Sequence, residues 1–254
     1  MLTEERFART LALLEKNGSV TVQQLMNECD ASESTIRRDL SVLAANHQLA
    51  KVHGGAVSKD MAYRTKDDEV AHRKEQNPQA KQIIGRYAAG LIGPEDFVYL
   101  DAGTTTECMI EHIASTQAAF VTNSVTLAKK LAGHGCLTYI LSGEFKASTE
   151  AVVGPETVAC LEKYNFTKGF FGTNGVSRKR GFSTPEMKEA MVKREAMRHS
   201  KECFVLADDS KFDQISSISF ASFESAVVLT TNLNLDAYRD CQNIVNIEQT
   251  GRER

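Results

Sequence analysis

Hydroxyl and guanidinium groups are concentrated in one short stretch near the start of the chain, Ser32 to Leu43. Ile36, Leu40 and Leu43 recur with helical spacing and predict a buried stripe, so the polar side chains between them point outward. Ser32 is placed to cap the first turn. Exposed hydroxyls and arginines at a helix start suit the DNA major groove, where arginine binds guanine edges and the helix dipole favours phosphate. An ordinary amphipathic surface helix has the same pattern, so this helix by itself leaves both interpretations open.

The neighbouring residues favour DNA binding. Apolar residues at helical spacing predict one helix from Glu4 to Lys16 and a second from Val22 to Cys29, and a tight turn then leads into the Ser32 helix. Helix, helix, turn, helix is the layout of a helix-turn-helix domain. A short strand and a glycine turn follow, as in a winged helix, and their basic side chains can reach phosphate. The predicted DNA-binding residues are Ser32, Ser34, Thr35, Arg37, Arg38, Lys51, His53 and Gly54.

A second set of polar residues follows the apolar runs in the rest of the chain. After a helix opened by Pro78, with Ile83 and Ile84 on its inner face, Phe97 to Leu100 leads into Asp101-Ala102-Gly103-Thr104-Thr105-Thr106, and Glu107 to Ile113 reads as a helix. Later apolar runs also end at small polar residues. Strands that alternate with helices predict a mostly parallel α/β sheet, whose ligands bind at the carboxyl ends of the strands.

These strand ends predict a pocket for a phosphorylated polyhydroxy compound. Glycine, hydroxyl and helix-start N–H groups suit phosphate, and carboxylates accept hydrogen bonds from sugar hydroxyls. Any one of these loops is equally consistent with a plain strand–helix turn, so the prediction rests on their repetition. The residues predicted from these loops are Asp101, Gly103, Thr104, Thr105, Thr106, Thr122, Asn123, Ser124, Gly143, Asn174, Gly175, Asp208 and Lys211.

The segment from Pro185 to Ser200 is a predicted helix with two interpretations. The first is a solvated face on which Glu189 pairs with Lys193 four residues later. The second directs Glu186 or Glu189 from the helix start into the sugar pocket. The residue pattern leaves both open.

Composition favours a two-domain protein without metal. The chain has 254 residues, and its six cysteines and six histidines show no metal-ligand spacing, so we expect buried cysteines and no metal or cofactor. The net charge is −3, and residues 1–57 carry six basic against seven acidic side chains. That balance argues against charge-driven, non-specific nucleic-acid binding but is compatible with a sequence-specific protein whose positive charge is local.

The predicted boundaries follow changes in composition. We assign 1–57 to a winged helix-turn-helix domain, 58–77 to a polar linker, and 78–254 to an α/β domain. A solvated surface helix of the second domain explains 58–77 equally well. No apolar run reaches the length of a membrane span and no signal-peptide pattern is visible, so we expect a cytoplasmic protein without membrane contact.

Together these motifs resemble the DeoR family of bacterial sugar-operon regulators. Ser-Glu-Ser-Thr-Ile-Arg-Arg-Asp-Leu and Lys-Val-His-Gly-Gly-Ala resemble its amino-terminal signature, and Asp-Ala-Gly-Thr-Thr, Thr-Asn-Ser and Asp-Asp-Ser-Lys-Phe resemble its sensor motifs. Two departures are visible: Asn46-His47-Gln48 where members often carry glycine, and Ser142-Gly143 where relatives have Gly-Gly. The resemblance implies a phosphosugar sensor similar in fold to ribose-5-phosphate isomerase and glucosamine-6-phosphate deaminase, and it favours Glu189 as a ligand residue.

A narrower resemblance, carried by Phe170 to Gly175 and Gly181 to Glu186, is to fructose-operon and lactose/tagatose-phosphate repressors. It implies a homodimer or homotetramer that binds double-stranded operator DNA and represses a sugar-utilisation operon. A phosphosugar would relieve repression, with fructose 1-phosphate expected first and tagatose 6-phosphate second. An activator would use the same residues. The other class of function is a sugar-phosphate isomerase-like enzyme with an accessory DNA-binding domain; Asp101 and Lys211 could serve it, but no convincing catalytic dyad follows from the spacing, so we expect no enzyme activity.

Overall fold

The computed structural model describes residues 2–17, 19–46, 48–52, 55–58, 70–114, 117–231 and 238–247. The chain divides into two compact units, Met1–Tyr63 and Arg64–Arg254. Residues 59–69, which make up most of the predicted linker, lie outside the described residues, whereas Val70–Glu75 forms a helix that belongs to the second unit. The domain boundaries at residues 57 and 77 therefore stay predictions.

The described part of the first unit is a winged helix-turn-helix, as predicted. Strands β2 and β3 form the antiparallel wing hairpin, and β1 pairs with the other edge of β3. The elements are α1 (Thr3–Asn17), β1 (Ser19–Thr21), α2 (Val22–Cys29), α3 (Glu33–Ala45), β2 (Leu49–Val52) and β3 (Gly55–Ser58).

Local sequence explains where these helices begin and end. The Thr21 side chain accepts from the Gln24 N–H while the Gln24 side chain accepts from the Thr21 N–H, a capping box that starts α2. Asp30 ends α2 in the left-handed conformation, at φ 46°, and Ser32 then caps α3. The turn between the two helices is thus specified by residues within it.

Apolar and charged contacts hold the three helices together. Ile36, Leu40 and Leu43 of α3 are buried against α1 and α2, as the helical spacing predicts. On the same helix Asp39 is buried, and its carboxylate accepts from the Arg6 guanidinium with Nε 2.6 Å from Oδ2. This ion pair joins α1 to α3, so two of the charges counted in residues 1–57 pair with each other within the unit.

The second unit contains a larger set of alternating helices and strands. Its helices in the described residues are α4 (Val70–Glu75), α5 (Pro78–Ala89), α6 (Thr104–Glu107), α7 (Val125–Gly133), α8 (Pro155–Leu161) and α9 (Met187–Arg198). Its strands in the same residues are β4 (Phe97–Leu100), β5 (Ala119–Thr122), β6 (Leu137–Ile140), β7 (Glu144–Lys146), β8 (Ala151–Val153), β9 (Phe166–Gly172), β10 (Gly175–Ser177), β11 (Gly181–Thr184), β12 (Ser200–Leu206), β13 (Ile218–Ala221), β14 (Val227–Thr230) and β15 (Ile244–Asn246).

The main sheet of this unit is parallel. Within the described residues it has seven strands in the order β15-β14-β12-β9-β4-β5-β6, and every adjacent pair is parallel. The chain runs outward from β4 to β6, returns to the other side of β4 as β9, and then runs outward to β15. The order therefore reverses between β4 and β9, which makes the carboxyl ends of those two strands the topological switch point. The predicted α/β class is confirmed.

Two details of the predicted helices are wrong. Ile83 is 39% exposed, because the buried stripe of α5 runs through Lys81, Ile84 and Ala88 instead. A helix from Glu107 to Ile113 does not form: α6 begins three residues earlier, and the chain after it tightens into a 3-10 turn, Ile110–His112. The Thr106 hydroxyl donates to the carbonyls of Asp101 and Gly103, which starts the helix early.

The six cysteines are free thiols. Cys29 and Cys136 are buried as expected, but the other four are half-buried, so the expectation of full burial is wrong for Cys108, Cys160, Cys203 and Cys241. Among the described residues, no helix is long and apolar enough to span a membrane.

A core substitution tests which face of α3 is buried. Leu40 is 1% exposed, so Leu40→Ala should lower the unfolding free energy of that unit by about 2–5 kcal/mol, because it removes apolar contacts and leaves a cavity. Val42→Ala on the same helix is the control, since Val42 is 40% exposed and should cost little. Hydrogen exchange in increasing urea measures each unit separately; equal losses in both variants would contradict the assigned helix face.

Candidate functional site

The exposed start of α3 presents a linked set of hydroxyl groups. The Ser32 hydroxyl lies 3.0 Å from the Ser34 hydroxyl and 2.8 Å from that of Thr35, and it also accepts from the Thr35 N–H. Ser32 and Ser34 are exposed and Thr35 is half-buried. These groups surround the amino terminus of the helix, where free N–H groups and the helix dipole favour a phosphate.

Basic side chains extend the same surface. Arg37 and Arg38 are exposed, and the Arg37 Nε donates to Glu33 Oε1 at 2.8 Å. Lys51, from β2 of the wing, donates to the Ser41 hydroxyl at 2.9 Å and so lies beside α3. The structure therefore brings the wing lysine to the arginine-bearing helix. The predicted residues His53 and Gly54 lie outside the described residues.

In the second unit, a cleft opens at the carboxyl ends of β4, β9 and β12. Its volume is about 550 Å³, which includes space open to solvent. It lies at the topological switch point, where the loop after β4 faces the loop after β9. Seven of the residues predicted to bind ligand line it: Gly103, Thr104, Thr105, Asn174, Glu189, Asp208 and Lys211.

A buried ion pair forms the floor of this cleft. Asp101, 1% exposed, accepts from the Lys193 ammonium and from the Gly172 N–H at 3.0 Å. Lys193 also donates to the Gly172 carbonyl at 3.2 Å. Burial raises the pKa of Asp101, and the Lys193 charge offsets part of that rise. The pair thereby holds the ends of β4 and β9 against α9.

Glu189 and Lys193 are both buried, so the interpretation of this helix as a solvated face is wrong. Glu189 Oε1 accepts from Lys146 at 2.9 Å and from the Thr149 hydroxyl at 2.7 Å. Burial by itself raises the pKa of Glu189, but Lys193, Thr149 and Lys146 outweigh it and lower that pKa. Packing against the sheet turns this face of α9 inward. Glu186 instead caps the helix by accepting from the Glu189 N–H.

Asp208 offers an unused acceptor to the cleft. Its Oδ1 accepts from the Asn77 side-chain amide at 2.8 Å and from the Ser210 N–H at 3.1 Å. Its Oδ2 is buried without a hydrogen-bond partner among the described residues. A buried carboxylate oxygen without a donor costs free energy, and a ligand hydroxyl in the cleft would supply one.

Several predicted ligand residues shape the site from outside the cleft. Thr106 and Thr122 use their hydroxyls within their own loops, and Asn123 accepts from the Ala102 N–H at 2.9 Å and donates to a carbonyl of β8. Gly143 and Gly175 pack so closely against neighbouring atoms that a side chain would collide. Ser124 caps α7 and lines an adjoining recess of about 240 Å³ that shares Gly103 and Thr104 with the cleft.

Five cleft residues with polar side chains were missed from the sequence. They are Arg73, Gln76, Lys81, Thr173 and Lys193. Lys81 carries a signal that could have been used, because it falls on the same helical stripe as Ile84 and Ala88, and a lysine on a buried stripe needs a partner. Arg73 and Gln76 carry no such signal, since they lie in or after a short helix within the predicted linker.

The charge of the cleft lining is mostly positive. Arg73, Lys81, Lys193 and Lys211 contribute cations against the carboxylates of Glu189 and Asp208. Burial lowers the pKa of Lys81, and nearby Asp208 opposes this effect. In the part of the chain that the structure describes, no group of three or more metal-type ligands is present. The cleft is thus suited to an anion that also carries hydroxyl groups.

Comparison with known proteins identifies relatives over nearly the full length of the chain. A family model for the DeoR-like helix-turn-helix domain matches residues 6–62, and one for the DeoR C terminal sensor domain matches residues 76–232. The chain is 40% identical to an uncharacterized HTH-type transcriptional regulator FruR of Bacillus subtilis, over 94% of this chain and 96% of that protein. It is 33% identical to a lactose phosphotransferase system repressor of Staphylococcus epidermidis, over 96% and 98%. Among solved structures, ribose 5-phosphate isomerase A from Neisseria gonorrhoeae aligns with 53% of each chain at a TM-score of 0.40 and 14% identity.

The winged helix-turn-helix and the α/β unit with its cleft define a DNA-binding transcriptional regulator that carries a sensor domain. Because both family models match and the similarity to whole relatives extends over nearly the entire chain, the protein belongs to the DeoR family.

The buried ion pair of the cleft yields a stability prediction. Lys193→Met leaves Asp101 buried without its cation, which should cost about 3–5 kcal/mol of unfolding free energy at neutral pH. It should also raise the pKa of Asp101 further. Since the folded pKa then lies above the unfolded one, stability should be highest at low pH and fall as pH rises between the two values.

Urea unfolding at several pH values measures this effect. The control is the double variant Lys193→Met with Asp101→Asn, which removes both charges and should recover much of the loss at neutral pH. If the single and double variants are equally stable at neutral pH, the pair does not hold the cleft as described.

Proposed function

We propose that this protein is a repressor of a sugar-utilisation operon, and that a phosphorylated sugar bound in the sensor cleft releases it from operator DNA. The observation that carries the proposal is the composition and place of the cleft. Cationic side chains, free hydroxyls and an unpaired buried carboxylate oxygen meet at the switch point of a parallel sheet. A polyol phosphate uses all three kinds of group: cations and hydroxyls for its phosphate, and a carboxylate oxygen for its hydroxyls.

The lining of the cleft suits the two parts of such a ligand. Thr104 and Thr105, with Lys81 and Lys211, would bind the phosphate through hydroxyl and ammonium donors. Asp208 Oδ2 and Asn174 would bind sugar hydroxyls. The names of relatives support a sugar phosphate: one is the FruR regulator and another a lactose phosphotransferase system repressor. Our first candidate effector is fructose 1-phosphate, and tagatose 6-phosphate is the second.

A regulatory role is favoured over catalysis by the position of Asp101. A general base must reach the proton that it removes, but Asp101 lies under the cleft, bonded to Lys193 and to the Gly172 N–H. Its carboxylate therefore serves to hold the strand ends. We infer that the effector is released without chemical change. It acts because it binds more tightly to one arrangement of the protein, and that difference in binding free energy is the amount by which operator affinity falls.

DNA binding is proposed to require a homo-oligomer. The proposed DNA-binding surface draws on few cations, Arg37 and Arg38 of α3 and Lys51 of β2, in a chain of net charge −3. One copy offers a small positive surface, and two copies joined together would bind two half-sites with a large gain in effective concentration.

Thermal unfolding with a panel of sugar phosphates and their parent sugars tests the effector. A ligand that binds the folded state raises the transition, and the parent sugar should not. Thr105→Val should fold normally and weaken the active compound by about tenfold in a calorimetric titration, because one phosphate donor is lost. Should no phosphosugar shift the transition, or should the Thr105 variant bind as tightly as the parent, the assignment of the cleft fails.

Substitution in α3 tests the DNA-binding surface. The operator duplex is obtained by in vitro selection with the full chain. Arg37→Ala should weaken binding of this duplex by about 1–3 kcal/mol per subunit, because a base or phosphate contact is lost. Sugar-phosphate binding should stay intact. The matched control is Arg9→Ala, since Arg9 has the same exposure and the same kind of surface ion pair, with Glu28. Equal operator affinity for the two variants would refute the assigned surface.

A further inference from the structure

Helix α4 forms one wall of the sensor cleft. The Arg73 side chain lines both the cleft and the adjoining recess, and Gln76, just after the helix, lines the cleft too. The helix is fastened to the second unit at both ends. The Val70 N–H donates to the Ser148 carbonyl at 3.3 Å, and Lys74 pairs with Glu107 at 3.1 Å.

Two contacts tie this wall to groups that face the ligand. The Lys81 ammonium, on α5, donates to the Arg73 carbonyl near the end of α4. Asn77 connects α4 to α5 in the left-handed conformation, at φ 47°, and its amide donates to Asp208, whose other oxygen is the free acceptor of the cleft. A phosphosugar whose phosphate lies beside Lys81 and whose hydroxyl donates to Asp208 would therefore act on the position of α4 directly.

Helix α4 lies close in sequence to the DNA-binding unit. Val70 follows Tyr63, the last residue of the DNA-binding unit, by seven positions. Whatever holds or releases α4 therefore acts on the segment from which the DNA-binding unit is tethered.

We propose that α4 is the element that couples effector to operator: Arg73 and Lys81 bind the ligand's phosphate together, so that occupancy of the cleft holds α4 in one position. The inference rests on the proposed function, since it assigns the regulation of the same cleft. An anion bound by cations on both α4 and α5 attracts the two helices to the same site, and the attraction to α4 exists only while α4 is docked. By linkage, docking of α4 strengthens ligand binding by a certain free energy, and bound ligand stabilises the docked position of α4 by the same free energy.

Hydrogen exchange of the unmodified protein tests the first half of the proposal. Inorganic phosphate, compared with chloride at equal ionic strength, should slow amide exchange in residues 70–77 and in the loop 102–106. Slower exchange in the loop with no change in residues 70–77 would overturn the proposal, whichever sugar is the natural effector. So would no change in either segment, because the phosphate site itself would then be missing.

Two charge-removing variants test the coupling itself. Arg73→Gln and Lys211→Gln each remove one cation that lines the cleft, so both should weaken the binding of fructose 1-phosphate. They differ in location, since Lys211 belongs to the 3-10 turn Asp209–Lys211 and not to α4. At saturating ligand, the ratio of operator affinities without and with ligand should fall at least about fivefold in Arg73→Gln and stay unchanged in Lys211→Gln.

The outcomes separate this inference from the proposed function. If both variants release operator fully once saturated, the cleft senses the ligand but α4 does not transmit it, and the inference fails while the function stands. If the parent protein keeps its operator at every concentration of fructose 1-phosphate, the proposed effector is wrong, and the exchange of residues 70–77 in phosphate still decides the role of α4.

Discussion

The sensor unit depends on a single buried contact, the ion pair between Asp101 and Lys193. It joins the end of β4 to α9, and both partners also bond to the backbone of Gly172 at the end of β9. These strands meet where the sheet order reverses, a place where two loops diverge and leave a crevice. A charged pair is costly to bury, and further hydrogen bonds offset part of that cost. The Gly172 N–H donates to Asp101 and the Gly172 carbonyl accepts from Lys193, which gives the crevice a fixed floor.

Above that floor, some polar groups hold the loops in place and others are proposed to bind the ligand. Thr106, Thr122 and Asn123 use their side chains in hydrogen bonds within and between loops, whereas Thr104 and Thr105 line the cleft. The DNA-binding unit shows the same division. The buried bond from Arg6 to Asp39 fixes α3 against α1, while Arg37 and Arg38 remain exposed. In both units the side chains that position the site are buried and paired.

Much of this organisation could be predicted. Capping residues and apolar spacing located α2 and α3, because helix ends are local decisions made within a few residues. The polar strand ends indicated the cleft, because carboxyl ends of parallel strands must share one edge of a sheet. Which threonine lines the cleft could not be predicted, since Thr105 and Thr106 are adjacent and alike. The difference arises because the Thr106 hydroxyl bonds back to the carbonyls of its own loop.

The amino-acid sequence by itself therefore determined the order of domains, the recognition helix and the set of loops that bound the cleft, since each depends on local pattern. The tertiary structure decided the pairing of charges. Glu189 and Lys193 stand four residues apart on one helix, and by local rules they form a solvated pair. Instead each has a different partner, Lys146 for Glu189 and Asp101 for Lys193, because packing against the sheet turns that face of α9 inward. Arg73 lines the cleft because Ser148 and Glu107, distant in sequence, hold α4 beside it, and no local pattern predicts those contacts.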